Sequence, residues 1–251
     1  MKNTLLIVIC CLPLLTFSQK QPENKPAVKQ DSKTENKSDT IIVNDPLNQN
    51  RKYWVIHNMK GVLKAQGFIL NGKKDGAWRE YNDVTGVIMK LNEYKEGIQN
   101  GTLLTFSNNG SVQVEETYLN DKKNGERHVF GNFGGRMKTL ENYKEDILEG
   151  IKKTFYDDGK VQEEGNYKKG KRDGVVKWYL QNGNQTMEYT YSNGELQGPA
   201  KVFDEKGNLK LSGEYRKDNE EGEWKEFQDS LLVKKIIYKQ GQILKEVPVK
   251  K

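Results

Sequence analysis

Aromatic residues and glycines recur along most of this chain at intervals of about 24 residues. A leading aromatic occurs at Phe68, Tyr94, Tyr118, Tyr143, Tyr167, Tyr191, Tyr215 and Tyr238. A glycine follows seven residues later, or eight after the first aromatic, at Gly76, Gly101, Gly125, Gly150, Gly174, Gly198 and Gly222. A second aromatic stands five residues beyond each glycine, at Tyr81, Phe106, Phe130, Phe155, Tyr179, Phe203 and Phe227. Such self-similarity is the signature of a repeat architecture, in which each unit buries its apolar surface against its neighbours. The spacing predicts about seven repeats of roughly 24 residues.

Turn-forming residues inside each unit indicate β-hairpins. In the unit around Gly174, Gly170 lies three residues after the leading aromatic, where Gly or Asp supports a positive φ. We expect a short connecting loop from Gly170 to Gly174, a strand to Tyr179, a hairpin turn at residues 181–184 and a return strand to Tyr191. The glycines of the equivalent hairpin turns are Gly86, Gly110, Gly134, Gly159, Gly183 and Gly207.

The predicted fold class is all-β, because no stretch of the array shows a helical period. We expect an elongated, single-layer antiparallel β-meander over residues 51–251, with some 14 to 16 strands built from the β-hairpin repeats. Both aromatic series are expected in the interior, with Phe155 and Tyr179 as core residues. Pro199 is expected at the start of a strand, where a missing N–H is tolerated. Partial hairpins should cap the two ends, and Pro248, Lys250 and Lys251 should blunt the last edge.

The first 18 residues have the organisation of a secretory signal peptide, with Lys2 before an apolar stretch and a small-x-small cleavage site from Thr16 to Ser18. Residues 19–50 hold balanced charges, three prolines and no aromatic residue, a composition typical of a disordered linker. Cys10 and Cys11 both lie in the signal segment, so we expect the mature chain to form no disulfide. The sequence therefore predicts an exported protein that is periplasmic, associated with the cell envelope, or secreted.

Residues that could carry catalysis or hold a metal are scarce in the array. His57 and His128 lie far apart in the chain, so we expect neither a Ser-His-Asp arrangement nor a zinc site. Residues 165–171 fit most of a phosphate-binding loop but lack its final Ser or Thr, and no helix follows. We expect no enzymatic activity, no catalytic residue, no cofactor and no metal site. A pair of carboxylates brought together from two strands is the enzyme hypothesis that stays open.

One segment that starts at Tyr167 reads YKKGKRDGVVKWYLQNGN and shows the frame of the repeat: a leading aromatic, two spaced glycines and a second aromatic. This frame resembles the MORN repeat, in the bacterial variant that is often labelled antitoxin-like. The resemblance covers about residues 61–245, although Asp replaces the first of these glycines in three units. It implies an elongated, twisted antiparallel sheet that binds proteins or membrane surfaces without catalysis of its own.

Basic residues occupy most of the positions three residues after the repeat glycines. This series is Arg79, Leu104, His128, Lys153, Lys177, Lys201 and Lys225. In an unbroken strand each of these side chains shares a face with the second aromatic, so stacked units would align them about 10 Å apart. We take Arg79, Lys153, Lys177, Lys201 and Lys225 as a candidate binding face for an anionic partner. The alternative is a solvated stripe whose stems cover the aromatic rings.

These observations predict a non-enzymatic exported scaffold that mediates interactions with a protein or with the envelope surface. The expected partner is a protein or an anionic envelope polymer, and a membrane surface is a further candidate. The alternative is an antitoxin-like or immunity-like inhibitor of a partner protein, as the resemblance suggests. Nucleic acid is not expected, because the formal net charge of +6 is spread over a surface of mixed sign.

Overall fold

The computed structural model describes residues 39–131 and 135–249, and these residues form one antiparallel β-sheet without helices. Its strands are β1 (Thr40–Asp45), β2 (Asn48–His57), β3 (Leu63–Leu70), β4 (Lys73–Tyr81), β5 (Ile88–Lys95), β6 (Ile98–Phe106), β7 (Val112–Leu119), β8 (Lys122–Phe130), β9 (Met137–Lys144), β10 (Ile147–Leu148), β11 (Gly150–Phe155), β12 (Val161–Lys168), β13 (Lys171–Tyr179), β14 (Gln185–Ser192), β15 (Glu195–Phe203), β16 (Leu209–Arg216), β17 (Asn219–Gln228), β18 (Leu231–Lys239) and β19 (Gln242–Pro248). The predicted signal peptide, the linker as far as residue 38, and Gly134, Lys250 and Lys251 lie outside the described residues.

Apart from β10, each strand pairs with the next one along the chain, so the sheet is a meander of hairpins. Strands β10 and β11 both pair with β9 and continue one another past Glu149. The all-β, single-sheet prediction is confirmed. The sheet starts at Thr40, about ten residues before the predicted boundary, because β1 pairs with β2 through its β-branched segment Thr40–Val43. This added strand and the break between β10 and β11 account for two of the 19 strands among the described residues, and the other 17 still exceed the expected 14 to 16.

Two-residue turns close every second hairpin from β3–β4 onward, and the β17–β18 hairpin also has one. Between β12 and β13, Lys169 and Gly170 have φ angles of 50° and 78°, so both central residues are left-handed, as a type I′ turn requires. The positive φ expected at Gly170 is therefore confirmed. The prediction of a connecting loop from Gly170 to Gly174 is wrong, because β13 is continuous from Lys171. Gly174, with φ 103°, lies instead in a β-bulge opposite Asn166, which absorbs the extra residues without ending the strand.

Pro199 was expected at the start of a strand, but it lies in the interior of β15. It directly follows Gly198, whose φ of 111° marks the equivalent bulge. At this position in β6, the N–H of Thr102 donates to the Glu93 carboxylate at 2.8 Å. The bulge therefore needs no backbone donor at this residue, and proline fits there.

The first unit is offset by one residue from the others. Ile69 lies two residues before the Asn71-Gly72 turn, just as Tyr94 lies two residues before its own turn. The structural equivalent of Tyr94 is therefore Ile69, and not Phe68. The ring of Phe68 contacts Tyr53 edge-on, with centroids 4.9 Å apart, on the opposite face of the sheet. This offset accounts for the spacing of eight residues in the first unit.

The buried side chains form a single row across one face of the sheet. Cross-strand neighbours point to the same face, and we call the row that they form the central row and this side the row face. The central row consists of Trp54, Gly67, Trp78, Asn92, Leu103, Glu116, Arg127, Glu141, Lys152, Gly165, Val176, Tyr189, Ala200, Gly213, Trp224 and Ile236. Every buried residue in the described part of the chain belongs to it. Phe155 and Tyr179 are only half-buried and lie on the other face, so their assignment to the core is wrong.

Glycine in the central row lets a large neighbour lie flat on the sheet. A Cβ atom at Gly67 would stand 2.7 Å from the Trp78 ring, and one at Gly213 would overlap the Trp224 ring. Each indole then reaches the backbone beyond its glycine: Trp78 Nε1 donates to the Phe68 carbonyl at 2.8 Å. Trp78 and Trp224 are 4% and 2% exposed, which shows how a single sheet can bury such rings without a second layer.

Candidate interaction face

The basic residues singled out in the sequence lie together on the side opposite the central row, which we call the lysine face. Each one directly follows a member of the central row, and successive residues of a strand point to opposite faces. This set is Arg79, Lys153, Lys177, Lys201 and Lys225. Leu104 and His128 occupy the same positions in β6 and β8.

Carboxylates alternate with the lysines on this face. Glu164 is the cross-strand partner of both Lys153 and Lys177, and Glu188 is the partner of both Lys177 and Lys201. The ammonium of Lys153 lies 3.2 Å from Glu164, and that of Lys201 lies 3.0 Å from Glu188. From Lys153 to Lys201 the row is therefore a ladder of alternating sign and not a purely basic track, whereas Lys225 lies opposite Ser212 and Lys235. Sequence reasoning missed the acids because it followed only one strand of each hairpin.

The glutamates of the ladder are held in the ionised form. Burial alone would raise the pKa of Glu164, but the hydrogen bond from Tyr179 and the contact with Lys153 outweigh burial and lower the pKa. Burial likewise opposes the lowered pKa of Glu188, which follows from its hydrogen bonds with Lys201 and Gln185. Both carboxylates therefore remain charged at neutral pH.

The two ends of the basic row have different surroundings. Lys225 lies 3.7 Å from Glu223, on its own strand. Arg79 lies opposite Gln66 and near Tyr53, whose pKa burial raises against the opposing effect of this arginine. His128 lies between Glu115 and Glu126, with contacts of 3.2 and 3.1 Å. Strand pairing thus supplies polar neighbours along the whole row.

Apolar side chains remain exposed beside the ladder. Ile151 and Val175 are 48% and 40% exposed, and each precedes a ladder lysine by two residues. Together with Lys153, Glu164 and Lys177 they line a shallow groove across β11 to β13. The groove combines both signs of charge with apolar surface, which is the make-up of a protein-binding surface.

The row face carries a second ionic group, in the middle of the central row. Arg127 Nε lies 2.5 Å from Glu116 and its Nη1 lies 3.0 Å from Glu141, while Lys152 lies 3.0 Å from the other oxygen of Glu141. Tyr143 donates its hydroxyl hydrogen to Glu141 at 3.0 Å. We call Glu116, Arg127, Glu141 and Lys152 the ionic segment. Apart from Asn92, apolar residues or glycine fill the other positions of the row.

Burial and hydrogen bonding act in opposite directions on the acids of the ionic segment. The side chains of Glu116 and Glu141 are 8% and 10% exposed, and this burial tends to raise their pKa values. Hydrogen bonds from Arg127 to Glu116, and from Lys152 to Glu141, outweigh burial and lower both pKa values. The acids are therefore fully ionised in the folded protein near pH 7.

Within residues 39–131 and 135–249, no three His, Cys, Asp or Glu side chains are grouped so that they could hold a metal ion. The same residues contain no helix that is long and apolar enough to span a membrane.

Two hairpins of the sheet match a known family of repeats. No curated protein matches the chain. Residues 99–120 and 148–169 match the family described as MORN repeat variant. Each segment ends at the first residue of a two-residue turn, Asn120 or Lys169, and each includes one hairpin with a longer turn. MORN repeats form a scaffold that generally binds proteins or membrane surfaces, and they are not a known enzyme family. These two hairpins are therefore similar to the MORN repeat variant, and the match supports a MORN repeat protein.

Proposed function

We propose that this protein is an exported, non-enzymatic scaffold that binds another protein through its lysine face. The observation that carries the proposal is the exposed position of Ile151 and Val175 beside the alternating ladder. On the row face the apolar side chains of the central row are covered by their neighbours, whereas these two remain accessible to a partner.

The alternating signs favour a protein over an anionic polymer. A polyanion that follows the lysines would meet Glu164 and Glu188 between them, and each lysine is already partly neutralised. A protein surface can match both signs in register, and such complementarity mainly sets specificity and association rate. Exposed ion pairs each contribute only about 1 kcal/mol or less, so apolar contact must supply much of the affinity.

Export is part of the proposal and is supported by the segment from Lys2 to Ser18. We expect the native protein to start at Gln19 or Lys20, as determined by mass spectrometry of the N-terminal peptide. An intact Met1 on protein from the cytosolic fraction would contradict export.

Binding is tested by capture from cell envelopes with three variants of the tagged protein. The ladder variant carries Gln at Lys153, Lys177, Lys201 and Lys225. The apolar variant carries Asn at Ile151 and Val175. The control carries Gln at Lys95, Lys144, Lys168 and Lys239, which are exposed lysines at the turn end of their strands, on the same face but away from the ladder and the groove. The ladder variant and the control lose the same net charge, so they separate position from total charge.

We expect the ladder and apolar variants to retain the circular dichroism of the wild type and to lose most of the crosslinked partner. The control should capture the partner normally. Wild-type capture should weaken as salt rises above about 0.15 M, where the screening length is about 8 Å. Equal capture by all variants would refute the assignment of this face. An inhibitor of the antitoxin type would give one stoichiometric partner whose activity falls on binding.

A further inference from the structure

The two edge strands of the sheet differ in their protection against further pairing. β19, the last strand, carries Lys245, Glu246 and Pro248, the residue types that discourage strand addition. β1 is uncharged from Thr40 to Asn44. Its three central residues, Ile41, Ile42 and Val43, are 54%, 49% and 54% exposed. Among the described residues β1 pairs only with β2, so its outer edge presents apolar side chains without a charged residue to exclude another strand.

The hydrogen-bonding pattern between β1 and β2 shows which backbone N–H and C=O groups of β1 point outward. The N–H of His57 donates to the Asp39 carbonyl at 2.8 Å, so Asp39 and His57 form a hydrogen-bonded pair. Hydrogen-bonded pairs alternate along an antiparallel ladder. Ile41 therefore directs its N–H and C=O toward β2, whereas Thr40, Ile42 and Asn44 direct theirs outward. An added strand would meet donors and acceptors at these three residues.

The outward-facing sequence is complementary to itself. With Ile42 opposite Ile42 of a second copy, Thr40 lies opposite Asn44 and Ile41 lies opposite Val43. All three outward residues then form hydrogen-bonded pairs, with about six backbone hydrogen bonds between the strands. Every cross-strand pair is apolar with apolar or polar with polar, and a shift by one residue would lose this match.

We propose that the outer edge of β1 binds a second copy of this chain, by antiparallel pairing centred on Ile42. The two-fold axis through Ile42 makes the contact isologous, so it closes after two copies. The protected edge at β19 does not extend the sheet further. Asp39 of one copy and Asp45 of the other bound the paired segment at both ends. Their repulsion is partly offset by Arg51, 3.5 Å from Asp45, so added salt should tighten the dimer.

The mass of the purified protein in solution tests this contact. Sedimentation equilibrium should give twice the chain mass of 28.9 kDa, or twice the mass of the processed chain. Ile42→Lys places a like charge at the centre of the contact and should raise the dissociation constant by at least about tenfold. Leu244→Lys is the matched control, because Leu244 is 62% exposed on the opposite edge strand, and it should leave the dimer intact.

Cysteine crosslinking tests the register, in protein whose Cys10 and Cys11 are replaced by Ser. Ile42→Cys should form a disulfide dimer, since directly paired Cα atoms lie about 5.5 Å apart. Ile41→Cys alone should crosslink poorly, and a mixture of Ile41→Cys with Val43→Cys should crosslink well.

A monomer at all concentrations, or a dimer unaffected by Ile42→Lys, would overturn the proposal. If the protein is a monomer at all concentrations, the edge of β1 would instead be available to residues 1–38 of the same chain or to a strand of another protein. The circular dichroism of each variant should match the wild type, and capture through the lysine face should persist in monomeric variants.

Discussion

Replacing Arg127 with Met should destabilise the protein more than removing any single lysine of the lysine face. The guanidinium bridges Glu116 and Glu141 at 2.5 and 3.0 Å, and both carboxylates are at least nine-tenths buried. Methionine has a similar length but no charge. Both acids would remain in the row and would repel each other without the cation between them. Removal of one partner from a buried ion pair typically costs about 3–5 kcal/mol.

The expected loss lies at the lower end of that range. Glu116 retains Lys123 at 3.3 Å, and Glu141 retains Lys152 at 3.0 Å. Two hydrogen bonds to charged groups are lost, at about 1.5 kcal/mol each, which gives about 3 kcal/mol. For a domain of this size each kcal/mol lowers the melting temperature by roughly 2–4 °C, so the shift should be about 6–12 °C.

Differential scanning calorimetry at pH 7 measures this shift. Lys201→Met is the control, because it removes a lysine of a more exposed pair, and it should cost about 1 kcal/mol or less. Arg127→Lys should fall between the two, since lysine keeps the charge but cannot present the guanidinium fork to both acids. A melting temperature of Arg127→Met within about 2 °C of the wild type would refute the argument that the ionic segment stabilises this row.

Three further predictions test the fold. The lowered pKa values of Glu116 and Glu141 contribute stability above their unfolded pKa of 4.5. This contribution is lost as pH falls below 4.5 through the lowered folded pKa values, so the melting temperatures of wild type and Arg127→Met should converge as pH is lowered. Gly213→Ala should displace the Trp224 ring, cost about 1–3 kcal/mol and red-shift tryptophan fluorescence, whereas Lys210→Ala on the same strand should do neither. Phe155→Ala should cost only about 1–1.5 kcal/mol in urea denaturation, because the ring is half-buried, and a loss above about 3 kcal/mol would place it in a core.

Features that follow from the local conformation of single residues or of a single strand could be predicted from the sequence. Positive φ at Gly170 and the alternation that places Lys177 on one face follow from local chemistry. The buried face could not be predicted in the same way, because aromatic residues occur on both faces at equal spacing. The choice depends on cross-strand neighbours such as Gly213 beneath Trp224, and these depend on the register. The bulge at Gly174 sets that register, and a glycine in a repeat is equally compatible with a loop and with a bulge.

The partners of the lysines were missed for the same reason. Glu164 and Glu188 lie three residues before a leading tyrosine, at positions with no special character in a single strand. Only the pairing of β12 with β13 and of β14 with β15 brings them beside Lys177 and Lys201. A search for acids at the position opposite each lysine would have found them once the turn positions were fixed.

The ionic segment has a consequence for how such an array can change in length. Each unit contributes one acid and one base to it, Glu116 with Arg127 and then Glu141 with Lys152. Excision of residues 117–141 would join Glu116 to Asn142 and place Lys152 beside Glu116, because Glu116 and Glu141 hold equivalent positions. Duplication of the same stretch would likewise insert a complete acid–base pair. The charge pattern therefore has the same period as the gene segment that encodes one unit, and unequal recombination can add or delete units here without leaving a buried charge uncompensated.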